Sequence, residues 1–433
     1  MEYFEIMGNT RLGGEIDVHG AKNSVLPLLA GCVLVKGECV LHNCPRLSDV
    51  DFTIKILRHL GAEVKREGST ICVNTATLNR YDIPEALMRE MRSSIIFLGA
   101  LSGRLKKAKL FLPGGCEIGL RPIDLHIKAL GELGYGICFD GRDIKSEFIS
   151  KKSDNIALAF PSVGATENLI LSSVLLEGNT RIINAAREPE IVDLCDFLVS
   201  AGAKISGAGN TVIEIEGARE LHSVEHTVIP DRILASTLMS ASAITSGEIR
   251  LNKVRLSHLL PVFPVFEEAG CRLYADKASL TIKPPKRLRR VRLIETRPYP
   301  GFPTDSQATA CAMLSVAGGT SLIHETIFEN RQKHVRELNR FGADIAVHDN
   351  YAVINGVKSL HGASASCTDL RGGAAVVLAA LKAEGKSSIY SINHIDRGYE
   401  CFENQLSILG ADVKRINNEK ESEKQTKPEN QRF

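Results

Sequence analysis

The chain has 433 residues, too many for one ordinary core, and at roughly 100–200 residues per domain it predicts two or three domains. A formal net charge of +2 excludes a general attraction to nucleic acid or to a membrane surface, so any anion site must be made by a few placed cations. No apolar run approaches the roughly 18–20 residues that span a bilayer, and the eleven cysteines are scattered singly without a CxxC pair, which points to free thiols in a reducing cytoplasm.

In chain order, Tyr3–Met7 and Glu15–Val18 read as strands, with no basic and apolar leader before them, so export is not expected. Helix-length apolar stretches then recur at Ser24–Val35, Ser93–Ser102, Ala165–Leu176, Arg232–Thr245, Asp305–Ala317 and Asp369–Glu384. They are apolar nearly all round, which predicts buried helices. Each is followed by a strand, an amphipathic helix and a glycine turn, then two more strands. The turn glycines are Gly61, Gly134, Gly202, Gly270, Gly342 and Gly410, spaced 68 to 73 residues apart. A period of that size makes each copy a small α/β unit, here a βαβαββ-type repeat.

Six repeats in two groups of three predict an α/β protein of two similar domains, with helices inside and sheets outside. The expected domains are 22–229, holding repeats 1 to 3, and 1–21 plus 230–416, holding repeats 4 to 6. The opening 21 residues supply strands that complete repeat 6, and the chain crosses between domains near Ala21 and Pro230. Residues 417–433 form a polar tail expected to be disordered.

Chemistry gathers at the starts of the buried helices: Lys22-Asn23, Arg92-Ser93, Ser162-Val163-Gly164, Asp231-Arg232, Thr304-Asp305 and Asp369-Leu370-Arg371. Ser, Thr and Asp there are ordinary caps. Lys22, Arg92 and Arg371 oppose the helix dipole, and a bound anion explains them better. If the six helices point the same way, their N-termini line a cleft suited to phosphate and carboxylate groups, with Arg232 adding a further cation. Repeat 2 departs from the others at Leu112–Pro122, where Pro113-Gly-Gly precedes Cys116 and Gly119-Leu-Arg121-Pro122 follows. The glycines make a mobile lid with an exposed, chemically available thiol, and Pro122 opens the next helix. Cys32, Cys195 and Cys311 lie in apolar runs and read as inert core. His324 and His334 read as polar surface. No metal-ligand spacing, P-loop or dinucleotide fingerprint is present.

These residues resemble one family. The Pro113–His126 stretch is similar to the cysteine lid of the UDP-N-acetylglucosamine 1-carboxyvinyltransferases. Gly20–Asn23, Ser162–Glu167, Ala186–Val192, Phe302–Asp305, Glu325–Arg331, Thr368–Arg371 and His394–Glu400 extend the likeness across nearly all of residues 1–416. The resemblance implies the two-domain inside-out α/β barrel of the enolpyruvyl transferases. It also implies transfer of the enolpyruvyl group of phosphoenolpyruvate to the 3′-hydroxyl of UDP-N-acetylglucosamine, the first committed step of peptidoglycan synthesis. No metal or organic cofactor is implied, and the expected enzyme is a cytoplasmic monomer.

By the same resemblance Cys116 protonates the methylene carbon of phosphoenolpyruvate, can form a covalent adduct at C2, and is the group that fosfomycin alkylates. Asp305 takes the proton of the sugar hydroxyl. Lys22, Arg121 and Arg397 hold the phosphate of phosphoenolpyruvate, with Arg92 and Arg371 close by. Asn23, Arg121, Pro122, Ile123, Asp124, Leu125, Ser162, Val163, Gly164, Asp305 and Ile327 belong to the nucleotide-sugar site. The chain departs from some relatives in carrying Ser48 and Phe160 where they have lysine. Two alternatives stand beside this reading: 5-enolpyruvylshikimate-3-phosphate synthase, and a non-catalytic paralogue that binds the nucleotide sugar and regulates.

Overall fold

The protein is represented by a computed structural model that describes residues 2–112 and 123–417. The described residues form six four-stranded sheets of one plan. In repeat 3, for example, Asn155–Ala157 lies parallel to Asn179–Ile183, which pairs antiparallel with Val212–Glu216, itself antiparallel to Lys204–Ser206. Parallel neighbours need a crossover, and the buried helix Val163–Ser173 supplies it. The amphipathic helix Pro189–Ser200 then leads into the closing hairpin. The molecule is thus a two-domain inside-out α/β barrel, each domain holding buried helices within its sheets.

The chain divides into two compact units. One comprises Val18–Arg232 and Arg297–Pro303; the other comprises Met1–Asp17, Ile233–Thr296 and Thr304–Phe433. The seven-residue segment 297–303 therefore groups with repeats 1 to 3, although the sequence around it belongs to repeats 4 and 5. Residues 18–21 and 230–232 also fall with repeats 1 to 3. There Gly20 bridges Pro230, and Ala21 N–H donates to Ile229 O at 2.8 Å.

Each unit closes on itself with a strand from outside its sequential repeats. Glu2–Met7 lies between Lys386–Tyr390 and Asp412–Asn417, completing the sheet of repeat 6. The rest of the opening segment does not join it: Gly14–Asp17 is the parallel edge of the repeat 4 sheet, beside Ile249–Asn252. Val224–Thr227 plays the same part for repeat 1, beside Glu38–His42. A ring of three repeats leaves the first without its leading strand, and these segments fill that place. Asn417, expected in the tail, ends a strand opposite Glu2. The tail beyond it lies outside the described residues.

The buried helices pack closely because small residues let backbones meet. In Ile96–Leu105, a side chain at Gly99 would meet Asn168, and one at Gly103 would meet the Leu171 carbonyl. Asn168 fixes that contact, accepting from Gly99 N–H at 2.7 Å and donating to Ile95 O at 3.2 Å. Some buried hydroxyls bond within their own helix, as Thr245 does to Ala241 O at 2.7 Å, and others reach a neighbouring element, as Ser236 does to Ser306 at 2.7 Å. Cys32, Cys195 and Cys311 are buried in this packing, and burial pushes the last two thiols up to about 12. The ten described cysteines are all free. No described helix is long and apolar enough to cross a membrane.

Candidate active site

In the unit of repeats 1 to 3, the Gly20–Asn23 turn explains itself sterically. Any side chain at Gly20 would collide with the Asn43 carbonyl. The helix Lys22–Gly31 follows with no capping side chain of its own, and Asp231 caps it instead, accepting from Lys22 N–H at 3.2 Å. The Lys22 ammonium pairs with Asp49 at 2.7 Å, both side chains nearly buried at 11% and 2% exposure. Asp49 itself stands in the first turn of Ser48–His59, where the dipole favours an acid. Asn23 beside Lys22 is half-buried.

Other expected residues of this unit also stand at helix starts. Arg92 is half-buried and opens the short 3-10 turn Arg92–Ile95 before Ile96–Leu105. Ser162 caps Val163–Ser173 by accepting from Ala165 N–H at 3.4 Å. Val163 and Gly164 are half-buried, and Gly164 has no room for a side chain without crowding the His126 ring. His126 in turn meets the Asn168 amide at 2.6 Å. Ile123 precedes Asp124–Leu133, with Asp124 exposed and Leu125 half-buried. Cys116, Arg121 and Pro122, with the whole lid from Pro113, lie outside the described residues. Ser48 opens its helix, and Phe160 is an exposed aromatic at 42%.

Arg232 differs from the sequence reading. It does not stand as a cation offered to an anion, because Glu190 takes its guanidinium in a forked pair at 3.0 and 3.2 Å, with both side chains under 10% exposed. Glu167 is buried and Glu188 half-buried close by. Burial, reinforced by Glu190, raises both carboxyls, Glu167 most strongly. Glu188 also accepts from Tyr299 N–H at 3.3 Å, and the Arg232 guanidinium lies over the Tyr299 ring at 5.7 Å, which ties segment 297–303 into this unit.

In the unit of repeats 4 to 6, Asp305 is the second residue of the helix Thr304–Leu314. Its carboxylate is gripped by two buried arginines, Arg331 at 2.6 Å and Arg371 at 3.4 Å. Arg371 sits in the first turn of Leu370–Lys382, which Asp369 caps by accepting from Arg371 and Gly372 N–H, each at 3.0 Å. Burial alone would raise the Asp369 carboxyl. The Arg331 charge and the two N–H bonds outweigh that and hold it below the usual range. Arg397 is half-buried at the end of the 3-10 turn Ile392–Arg397, and Ile327 is half-buried with its N–H on Glu325.

The histidine reading needs correction. His334 is fully buried, not surface, and stands beside Asp369, Arg331 and Gly372. Burial pushes its imidazole down to about 4, with Arg331 adding to the effect and Asp369 opposing it. His324 is half-buried, stacked on Tyr351 at 4.1 Å. Asp49, Glu190, Glu325 and Arg331 were not singled out from the sequence. Glu325 and Arg331, at the two ends of one stretch that carries the resemblance, and Glu190, inside Ala186–Val192, gave some signal; Asp49 gave none. Among the described residues no group of His, Cys, Asp and Glu could hold a metal ion.

Comparison with known proteins adds to this geometry. A family model described as EPSP synthase (3-phosphoshikimate 1-carboxyvinyltransferase) matches residues 6–406. The chain is 49% identical over 416 residues to UDP-N-acetylglucosamine 1-carboxyvinyltransferase 2 of Caldanaerobacter subterraneus, covering 96% of this chain and 100% of that one. It is 43% identical over 416 residues to UDP-N-acetylglucosamine 1-carboxyvinyltransferase of Geobacter metallireducens, with the same coverage. Among solved structures, the enolpyruvyl transferase NikO of Streptomyces tendae is similar with a TM-score of 0.87 and 25% identity, over 96% of this chain and 99% of that one. EPSP synthase of Acinetobacter baumannii is similar in fold, with a TM-score of 0.72 at 16% identity, over 96% of this chain and 100% of that one.

Proposed function

The chain belongs to the UDP-N-acetylglucosamine 1-carboxyvinyltransferase family, and from that premise we propose that it moves the enolpyruvyl group of phosphoenolpyruvate to the 3′-hydroxyl of UDP-N-acetylglucosamine. Phosphate is released, and the product enters peptidoglycan synthesis. The observation that carries the proposal is the Asp305 carboxylate held between Arg331 and Arg371 at a helix start. Any carboxylate is a weak base beside an alkoxide. It suffices here, because the sugar hydroxyl becomes acidic as its oxygen bonds to the electron-poor C2 of the protonated phosphoenolpyruvate.

In this reading Cys116 delivers the proton to the methylene carbon, which a thiol with an ordinary pKa of roughly 8.5 can do at neutral pH. Lys22, Arg121 and Arg397 hold the phosphate, with Arg92 and Arg371 close by, so fixed cations stabilise the developing charge. Asn23, Ile123 to Leu125, Ser162 to Gly164 and Ile327 receive the nucleotide sugar. The ten free cysteines favour a reducing cytoplasm as the place of action, and a single chain carries every group the reaction uses.

The test is phosphate release from phosphoenolpyruvate with and without UDP-N-acetylglucosamine, with mass spectrometry of the sugar product. Sugar-dependent release with an enolpyruvyl nucleotide sugar is the expected result. Sugar binding without release would leave a regulatory binder. Because the matching family model carries the name of the shikimate enzyme, shikimate 3-phosphate is the control acceptor, and it is expected to give no release.

A further inference from the structure

We infer that Glu325 is a positioning residue for Asp305 and Ile327, an inference that rests on the function proposed above. Glu325 follows the strand Thr320–His324 and is 2% exposed. A carboxylate buried so deeply must have its oxygens satisfied, and four donors do this, none of them a cation. One oxygen accepts from Thr296 Oγ1 at 2.9 Å, Ile327 N–H at 2.9 Å and Phe328 N–H at 3.2 Å. The other accepts from Thr304 Oγ1 at 2.9 Å.

Thr296 and Thr304 are the residues on either side of segment 297–303, the seven residues that group with the other unit. Glu325 therefore clamps both ends of that excursion at the point where it leaves and re-enters its own unit. Thr296 is locked further, since its hydroxyl accepts from Thr326 N–H at 2.9 Å. Thr304 is held from its other side as well: its carbonyl accepts from Arg331 at 3.4 Å, and the same guanidinium nitrogen grips Asp305 at 2.6 Å. Thr304, Asp305 and Arg331 thus form one closed circuit around the first turn of the helix, and Glu325 joins it through the Thr304 hydroxyl. Asp305 is the next residue after a clamped one, and Ile327 is clamped by its own N–H. Whatever motion the segment transmits, the Asp305 carboxylate and the Ile327 backbone keep a fixed relation.

This gives Glu325 an effect on the chemical step and on the sugar, and none on the hold on phosphoenolpyruvate. The discriminating variants are Thr304→Val, which keeps the shape and removes the hydroxyl, and Thr304→Ser, which keeps the hydroxyl. Steady-state kinetics should show turnover of Thr304→Val down by about tenfold to a hundredfold. KM for UDP-N-acetylglucosamine should rise, KM for phosphoenolpyruvate should stay within about twofold, and Thr304→Ser should restore most of the rate. If Thr304→Val does not fold, Thr304→Ala replaces it. Alanine also lacks the hydroxyl that Glu325 holds, and the same split between the two KM values is expected. Wild-type turnover in Thr304→Val, or in Thr304→Ala, overturns the clamp while leaving the proposed reaction intact. So does a parallel rise of both KM values. A wild-type enzyme without sugar-dependent release would instead overturn the reaction, and the clamp with it.

Discussion

Two buried helices begin in opposite electrical ways. Lys22–Gly31 opens with a cation at the positive end of its dipole, and a buried carboxylate, Asp49, neutralises it. Thr304–Leu314 opens with an acid where the dipole favours one, yet two buried arginines hold that acid as well. In both places a charge set at a helix start already has a protein partner. On the function proposed above, an anion arriving at Lys22 would exchange one carboxylate for another oxyanion, and no bare ammonium would have to be kept desolvated beforehand. At Asp305 the partners would stay and aim the carboxylate. On that proposal one helix start trades its partner and the other keeps it.

The largest effects should come from breaking the chemistry while sparing both helix starts, or from breaking the kept one. Cys116→Ser should nearly abolish sugar-dependent phosphate release while UDP-N-acetylglucosamine binding, read by calorimetry, stays intact. Cys116→Asp should keep activity and resist fosfomycin, because a carboxyl group can still deliver a proton. Asp305→Asn should lower turnover by about 10² to 10⁴, the usual worth of a general base, with sugar binding still measurable. Retention of turnover there would remove Asp305 from the reaction.

The trading helix start is tested by Asp49→Asn, which removes the Asp49 charge from the nearly buried Lys22 ammonium. Unfolding free energy should fall by about 3–5 kcal/mol in denaturant titrations. Added inorganic phosphate should raise the thermal midpoint more in this variant than in the wild type, since a bound anion takes the lost carboxylate's place. An equal rise in both would show that Lys22 does not trade its partner.

The smallest effect sharpens the arginine side. His334 titrates at about 4 when folded and near 6.5 when unfolded, so between these values the unfolded chain binds more protons and acid favours unfolding. Its contribution is fully present above pH 6.5 and falls as pH drops toward 4, with a loss on the order of 1 kcal/mol midway. His334→Asn should flatten that part of the stability curve. An unchanged slope would mean that other groups carry it.

The sequence displayed the repeat, the buried helices and their starting residues, because those signals are local: a glycine with positive φ at each turn, as at Gly61 and Gly410, and an apolar face all round. What stayed hidden depends on partners far along the chain. Gly14–Asp17 pairs with residues some 235 positions later, and no local pattern marks that choice. Arg232 looked like an anion ligand because Glu190 arrives from another helix. His334 reads from the sequence as an exposed polar residue because its covering groups, Asp369 and Arg331, are fixed only by the tertiary fold. The lid around Cys116 was legible as glycine-rich chemistry, and that reading still rests on sequence alone.

The placement of Glu2–Met7 has a consequence for the chain as it leaves the ribosome. Its neighbours, Lys386–Tyr390 and Asp412–Asn417, are made some 380 to 410 residues later, which at 5–20 residues per second is on the order of 20–80 s. During that interval its alternating apolar side chains, Phe4 and Ile6, have no native cover. The unit of repeats 1 to 3 can close its ring of sheets once Val224–Thr227 has emerged. The second unit must wait for nearly the last described strand. A nascent chain stalled before residue 386 should therefore carry one protease-resistant half and one open half, with Glu2–Met7 an unpaired strand for a chaperone to guard.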